Sequence, residues 1–138
     1  MYKRAVDTET NRVAIWLRAG SATDADASVS SADVLNDDLG GPYDILFDRG
    51  VYHVLRQNNL KAFQEFLKKV TRPGSWWLSL AGNAKEQSDD EGPPVVSEEE
   101  IRAELEPLFE IVELREFRFT SNKPDFRPLA WSILMRRR

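Results

Sequence analysis

The 138-residue sequence contains no cysteine. Disulfides, thiolate metal sites and a cysteine nucleophile are therefore excluded. Only one histidine is present, His53, so any imidazole base must be that residue. Without a second His or a Cys in reach, the composition argues against a transition-metal site. No apolar run approaches the roughly 18 residues needed to cross a bilayer. Met1-Tyr-Lys-Arg leads into polar residues, not into the apolar stretch of a signal peptide. There is no basic surplus either: the net charge is −4, whereas a polyanion binder usually carries a basic face. Arg136-Arg137-Arg138 reads as a solvated end. These absences predict a cytoplasmic protein with neither nucleic acid nor a membrane as partner. What is there is ordinary for a soluble globular chain, with 41% apolar, 10% aromatic and 30% charged residues. The length suits one core and not two, so residues 1–138 are read as a single domain.

Three regimes follow one another along the chain. Residues 1–32 are poor in large apolar side chains. In Val13-Ala-Ile-Trp-Leu17, the spacing of Val13, Trp16 and Leu17 predicts a helix, with Thr10 or Asn11 as its cap and Gly20 as its end. Residues 21–31 are small and polar and read as loop or linker. Ala32-Asp-Val-Leu35 has the look of a strand end. The second regime, Tyr43 to Ala81, is a strand–helix–strand unit. A buried strand spans Tyr43–Phe47, and a helix from near Asn58 to Val70 places Leu60, Phe63, Phe66, Leu67 and Val70 on one stripe. Arg72-Pro-Gly74 stops it, and Ser75–Ala81 is the next strand, parallel to the first. Both strands are expected to be covered on each side, with Trp76 and Trp77 alternating as core.

In the third regime, residues 82–94 form a polar loop and Ser97-Glu-Glu-Glu100 matches a capping box that opens a helix over Glu98–Leu105. Alternation over Phe109–Phe119 predicts a half-exposed strand. Leu129–Met135 is a last strand, paired antiparallel with it because no helix fits between them.

Gly41 to Leu55 concentrates the chemistry. Its strand ends on Asp48, an Arg49-Gly50 turn follows, and then comes Tyr52-His53. In open α/β sheets ligands bind outside the carboxyl ends of strands, so Asp48, Gly50, Tyr52 and His53 are candidate site residues. Each has a plainer alternative. Asp48 can cap the turn, Gly50 can serve only a positive-φ turn, Tyr52 can pack, and His53 can be a helix-start or packing residue.

The order of elements, and the sequence from Ala32 to Arg137, resembles class I S-adenosylmethionine-dependent methyltransferases of the tellurite-resistance and thiopurine type. Ala32-Asp-Val-Leu35, the Tyr43–Leu55 segment, Arg72-Pro-Gly74, Val96-Ser-Glu-Glu-Glu-Ile101 and the terminal hairpin ending Trp131-Ser-Ile-Leu-Met135 carry the resemblance. It implies a three-layer Rossmann-like methyltransferase fold, truncated, mostly parallel with a C-terminal antiparallel hairpin. Residues 1–32 would be a shortened N-terminal part and residues 33–138 the C-terminal half. The resemblance also implies S-adenosylmethionine as cofactor and a small-molecule methyl acceptor. Asp33 would meet the adenine amino group, Asp48 and Gly50 would lie beside the methyl donor, and His53 or Tyr52 would be the candidates for a catalytic role. The opening helix would match the family's first helix.

Two parts of the family pattern are missing. Met1–Thr10 holds no glycine where the family has its glycine-rich cofactor loop, and residues 20–32 leave no room for the strand that ends in the ribose-binding acid. Asp24 and Asp26 are only isolated acids in that stretch. An alternative follows: a non-catalytic remnant that serves as an interaction module. In the intact fold the fourth strand lies at the sheet's centre. Here Tyr43–Phe47 becomes an apolar edge unless residues 28–35 or another chain covers it, and a homodimer through that edge is expected.

Overall fold

The computed structural model describes residues 6–7, 12–18, 27–86 and 94–138, and of 6–7, 12–18 and 27–30 only the backbone. The first described elements are strands: β1 (Val6–Asp7), β2 (Arg12–Arg18) and β3 (Ala27–Asp33), in the order β1-β2-β3. β2 and β3 run antiparallel, with Val13 opposite Ala32 and Leu17 opposite Ser28. This corrects the expected helix at 13–17 and the expected loop at 27–31. A short apolar run fits a strand as well as a helical face, and the β-branched and aromatic content of Val13-Ala-Ile-Trp-Leu17 suits a strand. The small residues of β3 bring little to bury, but their backbone completes the ladder. Ala32-Asp33 is a strand end, as expected. Thr10, Asn11, Gly20, Asp24 and Asp26 lie outside the described residues.

The second sheet carries the rest. β4 (Ile45–Arg49), β5 (Trp76–Asn83), β8 (Leu129–Arg137) and β7 (Phe109–Arg118) lie in the order β4-β5-β8-β7, and β6 (Val95–Val96) pairs the end of β5. β4 and β5 are parallel, with Asp48 opposite Ser79, as a crossover through a helix allows. β5–β8 and β7–β8 are antiparallel and are the two longest ladders of this sheet. The sheet is thus mostly antiparallel, which corrects the expectation of a mostly parallel one. The terminal hairpin lays β8 directly against β5, so only β4 and the two-residue β6 run parallel to β5.

α1 spans Tyr52–Val70 and consists of two arms that meet at Asn59, whose backbone is extended (φ −162°, ψ 90°). The Asn59 side chain accepts the Ala62 N–H at 3.0 Å and so caps the second arm. That arm is the helix read from the sequence, and the first arm is an addition to it. α2 spans Glu98–Leu105 as expected, with both halves of the capping box formed between Ser97 and Glu100. Among the described residues no helix is long and apolar enough to cross a membrane.

Both helices pack on one face of the five-stranded sheet. Trp77 lies at the centre, with Tyr52 and Phe63 of α1 on one side and Phe109 of β7 on the other. Ile101 and Leu105 of α2, together with Ile133 and Met135, close the same core. The opposite face carries Ile45, Phe47 and Trp76, which are 73%, 63% and 37% exposed. Coverage on both sides is therefore corrected: Trp77 is core, while its neighbour Trp76 faces the other way and stays partly open. β3 pairs with β2 alone, and no described strand pairs the outer edge of β4. Val34, just beyond β3, does join the core.

Candidate functional site at the carboxyl ends of β4 and β5

The turn from β4 into α1 is built on Asp48 and Gly50. Asp48 Oδ1 accepts the N–H groups of Val51 and Tyr52 at 3.0 and 3.1 Å, and Oδ2 accepts Trp77 Nε1–H at 2.8 Å. The first turn of α1 has no acidic residue and no side-chain cap of its own, so Asp48 satisfies its free N–H groups from one strand end away. Burial pushes the Asp48 carboxyl above its ordinary value, opposed by the nearby Ser79 hydroxyl and by the hydrogen bonds from Tyr52, Trp77 and Val51. Gly50 sits at φ +84°, a conformation that favours glycine, and its N–H donates to Leu80 O at 2.9 Å. That turn lets the chain leave the strand and begin the helix within two residues.

His53 is fully buried. Its Nδ1 accepts the Gly82 N–H at 2.8 Å, so the proton of the neutral ring sits on Nε2. This bond fastens the first arm of α1 to the end of β5. Tyr52 is also buried, edge-on to Trp77 and stacked with Phe63. Its hydroxyl donates to Glu104 Oε2 at 2.6 Å. Burial first, and then Glu104, push the phenol far above its ordinary value, which keeps it neutral. Asp48, Gly50, Tyr52 and His53 are therefore brought together around the carboxyl ends of β4 and β5.

Asp33 holds a turn of its own at the end of β3. Its Oδ1 accepts the N–H groups of Leu35 and Asn36 at 3.0 and 3.3 Å, and its Oδ2 accepts Asn36 Nδ2–H at 2.8 Å.

Two further groups, one joined to Tyr52 and one at the end of β5, were not singled out from the sequence. The first is the Glu104 cluster. Arg56 donates through Nε and Nη2 to Glu104, with Nη2–Oε1 at 2.5 Å, and also reaches Glu100 at 3.0 Å. The Arg56 and Glu104 side chains are only 10% and 11% exposed. Gln64 Nε2 donates to the Glu104 carbonyl at 2.9 Å. The cluster ties both arms of α1 to α2. The signal was present, since Glu104 lies between the apolar positions Ile101 and Leu105, but it was hidden in a run of acids that suits a solvated face. The second is Asn83, buried at the last position of β5. Its Oδ1 accepts the Lys85 N–H at 2.9 Å, and its Nδ2 has no partner among the described residues.

S-adenosylmethionine needs a carboxylate for its ribose hydroxyls and polar atoms for its methionine part. Asp48 and Asp33 each already accept three hydrogen bonds within the chain, which leaves each carboxylate about one further acceptor position, too few to hold both ribose hydroxyls. Gly50 N–H, Tyr52 hydroxyl and His53 Nδ1 are likewise engaged. Among the described residues here, Asn83 Nδ2 and Ser79 Oγ are left without a partner, and neither an amide donor nor a hydroxyl replaces a ribose-binding acid. The candidate residues thus supply only part of what the cofactor needs.

No protein-family model and no curated protein matches the chain. Solved structures do. A methyltransferase described as SAM-dependent, from Methanosarcina mazei, superposes with a TM-score of 0.59 at 13% identity, over 76% of this chain and 64% of its own. A protein solved in work on the conversion of a disulfide bond into a thioacetal group during echinomycin biosynthesis gives 0.58 at 21% identity, over 77% and 54%. TehB from Haemophilus influenzae gives 0.56 at 19% identity, over 78% and 40%. The chain therefore spans between 40% and 64% of the length of these structures. At such identities the likeness is one of fold: over about three quarters of its length the chain shares the fold of these structures, one of which is described as a SAM-dependent methyltransferase.

Proposed function

We propose that the chain serves S-adenosylmethionine-dependent methyl transfer to a small-molecule acceptor, at the carboxyl ends of β4 and β5. The observation that carries this reading is the shared fold, which extends over about three quarters of the chain in each comparison. The turn supports it: Asp48 and Gly50 shape the strand-to-helix junction at the place where open α/β sheets bind ligands. Methyl transfer asks little of side chains, because the sulfonium is already activated and positioning does most of the work. A buried, engaged His53 is therefore no obstacle to it. Asn83 Nδ2 is the donor available for a ligand oxygen.

A second reading is a non-catalytic interaction module, in which the same carboxylates act only as structural acceptors inside the chain. Calorimetric titration with S-adenosylhomocysteine separates the two. Micromolar binding supports the methyltransferase reading, and the absence of heat at millimolar ligand overturns it in favour of the module.

A further inference from the structure

The outer edge of β4 is the place where this protein departs most from what a finished sheet requires. β4 is parallel to β5, and parallel strands are normally covered on both faces. Yet Ile45 and Phe47 are more than half exposed, Trp76 stands beside Ile45 on the neighbouring strand, and no described strand takes up the free backbone edge. Unpaired apolar edges are templates for another strand.

We propose that this edge is the docking surface for a second copy of the same chain, with the two β4 strands antiparallel about a two-fold axis through Phe47. The register follows from charge and from the length of strand paired: centred on Ile45 the axis leaves Asp48 and Arg49 unpaired, and centred on Arg49 it sets two copies of that cation face to face. A two-fold axis perpendicular to the sheet keeps both sets of helices on one face and can pass only through a residue of β4. Centred on Leu46, it sets Asp44 opposite the partner copy's Asp48, acid on acid. Centred on Asp48, it sets two copies of that carboxylate face to face. Like charges directly opposite are destabilising. Centred on Phe47, all five residues of Ile45–Arg49 pair. Phe47 then meets its own copy as a cross-strand aromatic pair, Ile45 meets the stem of Arg49, and Leu46 meets Asp48. No acid faces an acid. Ile45, Phe47 and Trp76 of both copies merge into one apolar strip across the joint, and a self-complementary patch of this kind is what an isologous dimer needs. The inference is independent of the proposed function and stands under either reading of it.

The absence of cysteine allows a direct test of edge and register. In the full chain, mild oxidation of Phe47→Cys is expected to give a covalent dimer, because residues opposite each other lie about 4.5–5.5 Å apart at Cα, within disulfide reach. Arg49→Cys is not expected to cross-link, since its copies would lie about 13 Å apart along the strands. The double variant Ile45→Cys/Arg49→Cys is expected to cross-link again. Sedimentation velocity of the wild type should show a dimer, weakened about tenfold or more by Phe47→Lys, with an unchanged far-ultraviolet spectrum to establish folding. A wild type that stays monomeric at high-micromolar concentration overturns the proposal. So does a dimer indifferent to Phe47→Lys and to Ile45→Lys, or one that cross-links more readily through Arg49→Cys than through Phe47→Cys.

Discussion

The two faces of the five-stranded sheet are made by the same strands and end up in opposite conditions. On the helix face, alternate residues of β5 are buried and their polar atoms feed a dense set of bonds: Trp77 to Asp48, His53 to Gly82, Tyr52 and Arg56 to Glu104. On the other face, one residue along each strand, Ile45, Phe47 and Trp76 stay in contact with solvent. A period of two sends neighbouring side chains to different environments, so adjacent tryptophans, Trp76 and Trp77, belong to different parts of the protein. The difference teaches that the candidate site and the core are one object. Its acids hold helices in place before they hold anything else, whereas the opposite face and the β4 edge are where the chain has capacity to spare.

Substitutions can probe that contrast in descending order of effect. Trp77→Ala should be the most damaging, at about 3–5 kcal/mol in denaturant unfolding, because it opens a cavity at the core centre. Glu104→Ala should approach it, at about 3–5 kcal/mol, since the nearly buried Arg56 would lose its partner. Tyr52→Phe removes one charge-assisted bond to the same carboxylate and should cost about 1.5–3 kcal/mol.

Asp48→Asn should cost about 1–3 kcal/mol, because an amide cannot accept from all the donors that converge on the carboxylate. Its pH dependence has a definite sign. The carboxyl is raised from its ordinary 3.8 in the fold, so the folded chain holds that proton more tightly than the unfolded one. The stability this contributes is present below 3.8 and is lost as pH rises through the folded value. The penalty of Asp48→Asn should therefore be larger in acid than at neutral pH, which unfolding curves of both proteins across that range would check.

Ser97→Ala removes half of the α2 capping box and should cost about 1 kcal/mol. Phe47→Ser should change the stability of the isolated chain by less than about 0.5 kcal/mol, because the side chain is mostly exposed. A large loss of monomer stability on that substitution would erase the distinction between the two faces.

Much of this was legible in the sequence, and unevenly so. From Tyr43 onward the order strand, helix, strand, helix, strand, strand could be read because local signals agreed. Arg72-Pro-Gly74 ends α1, Ser97 with Glu100 opens α2 at its observed first residue, and the alternation over Phe109–Phe119 marks a half-exposed strand. The first arm of α1 was legible only in outline: Tyr52-His53-Val54-Leu55 begins to look helical, but it is buried all round and shows no period, so the helix could be bounded only from near Asn58. β2 and β3 escaped for a different reason. Their pairing is non-local, and Ala27–Asp33 has almost no side-chain pattern with which to announce a strand. At the site, sequence located Asp48, Gly50, Tyr52 and His53 but could not say where their polar atoms point. Those bonds are made with Trp77, Glu104 and Gly82, distant along the chain. Glu104 and Asn83 were missed because an acid in an acidic helix and an amide at a strand end look like surface residues until burial is known.

The account stands most directly on the claim that the helix face is complete in one chain while the β4 edge is completed by a second. Denaturant unfolding of the wild type at two widely separated protein concentrations tests it, since association that favours the folded state makes stability depend on concentration. The account predicts a midpoint that rises with concentration for the wild type and does not move for Phe47→Lys. A midpoint independent of concentration in the wild type would contradict it.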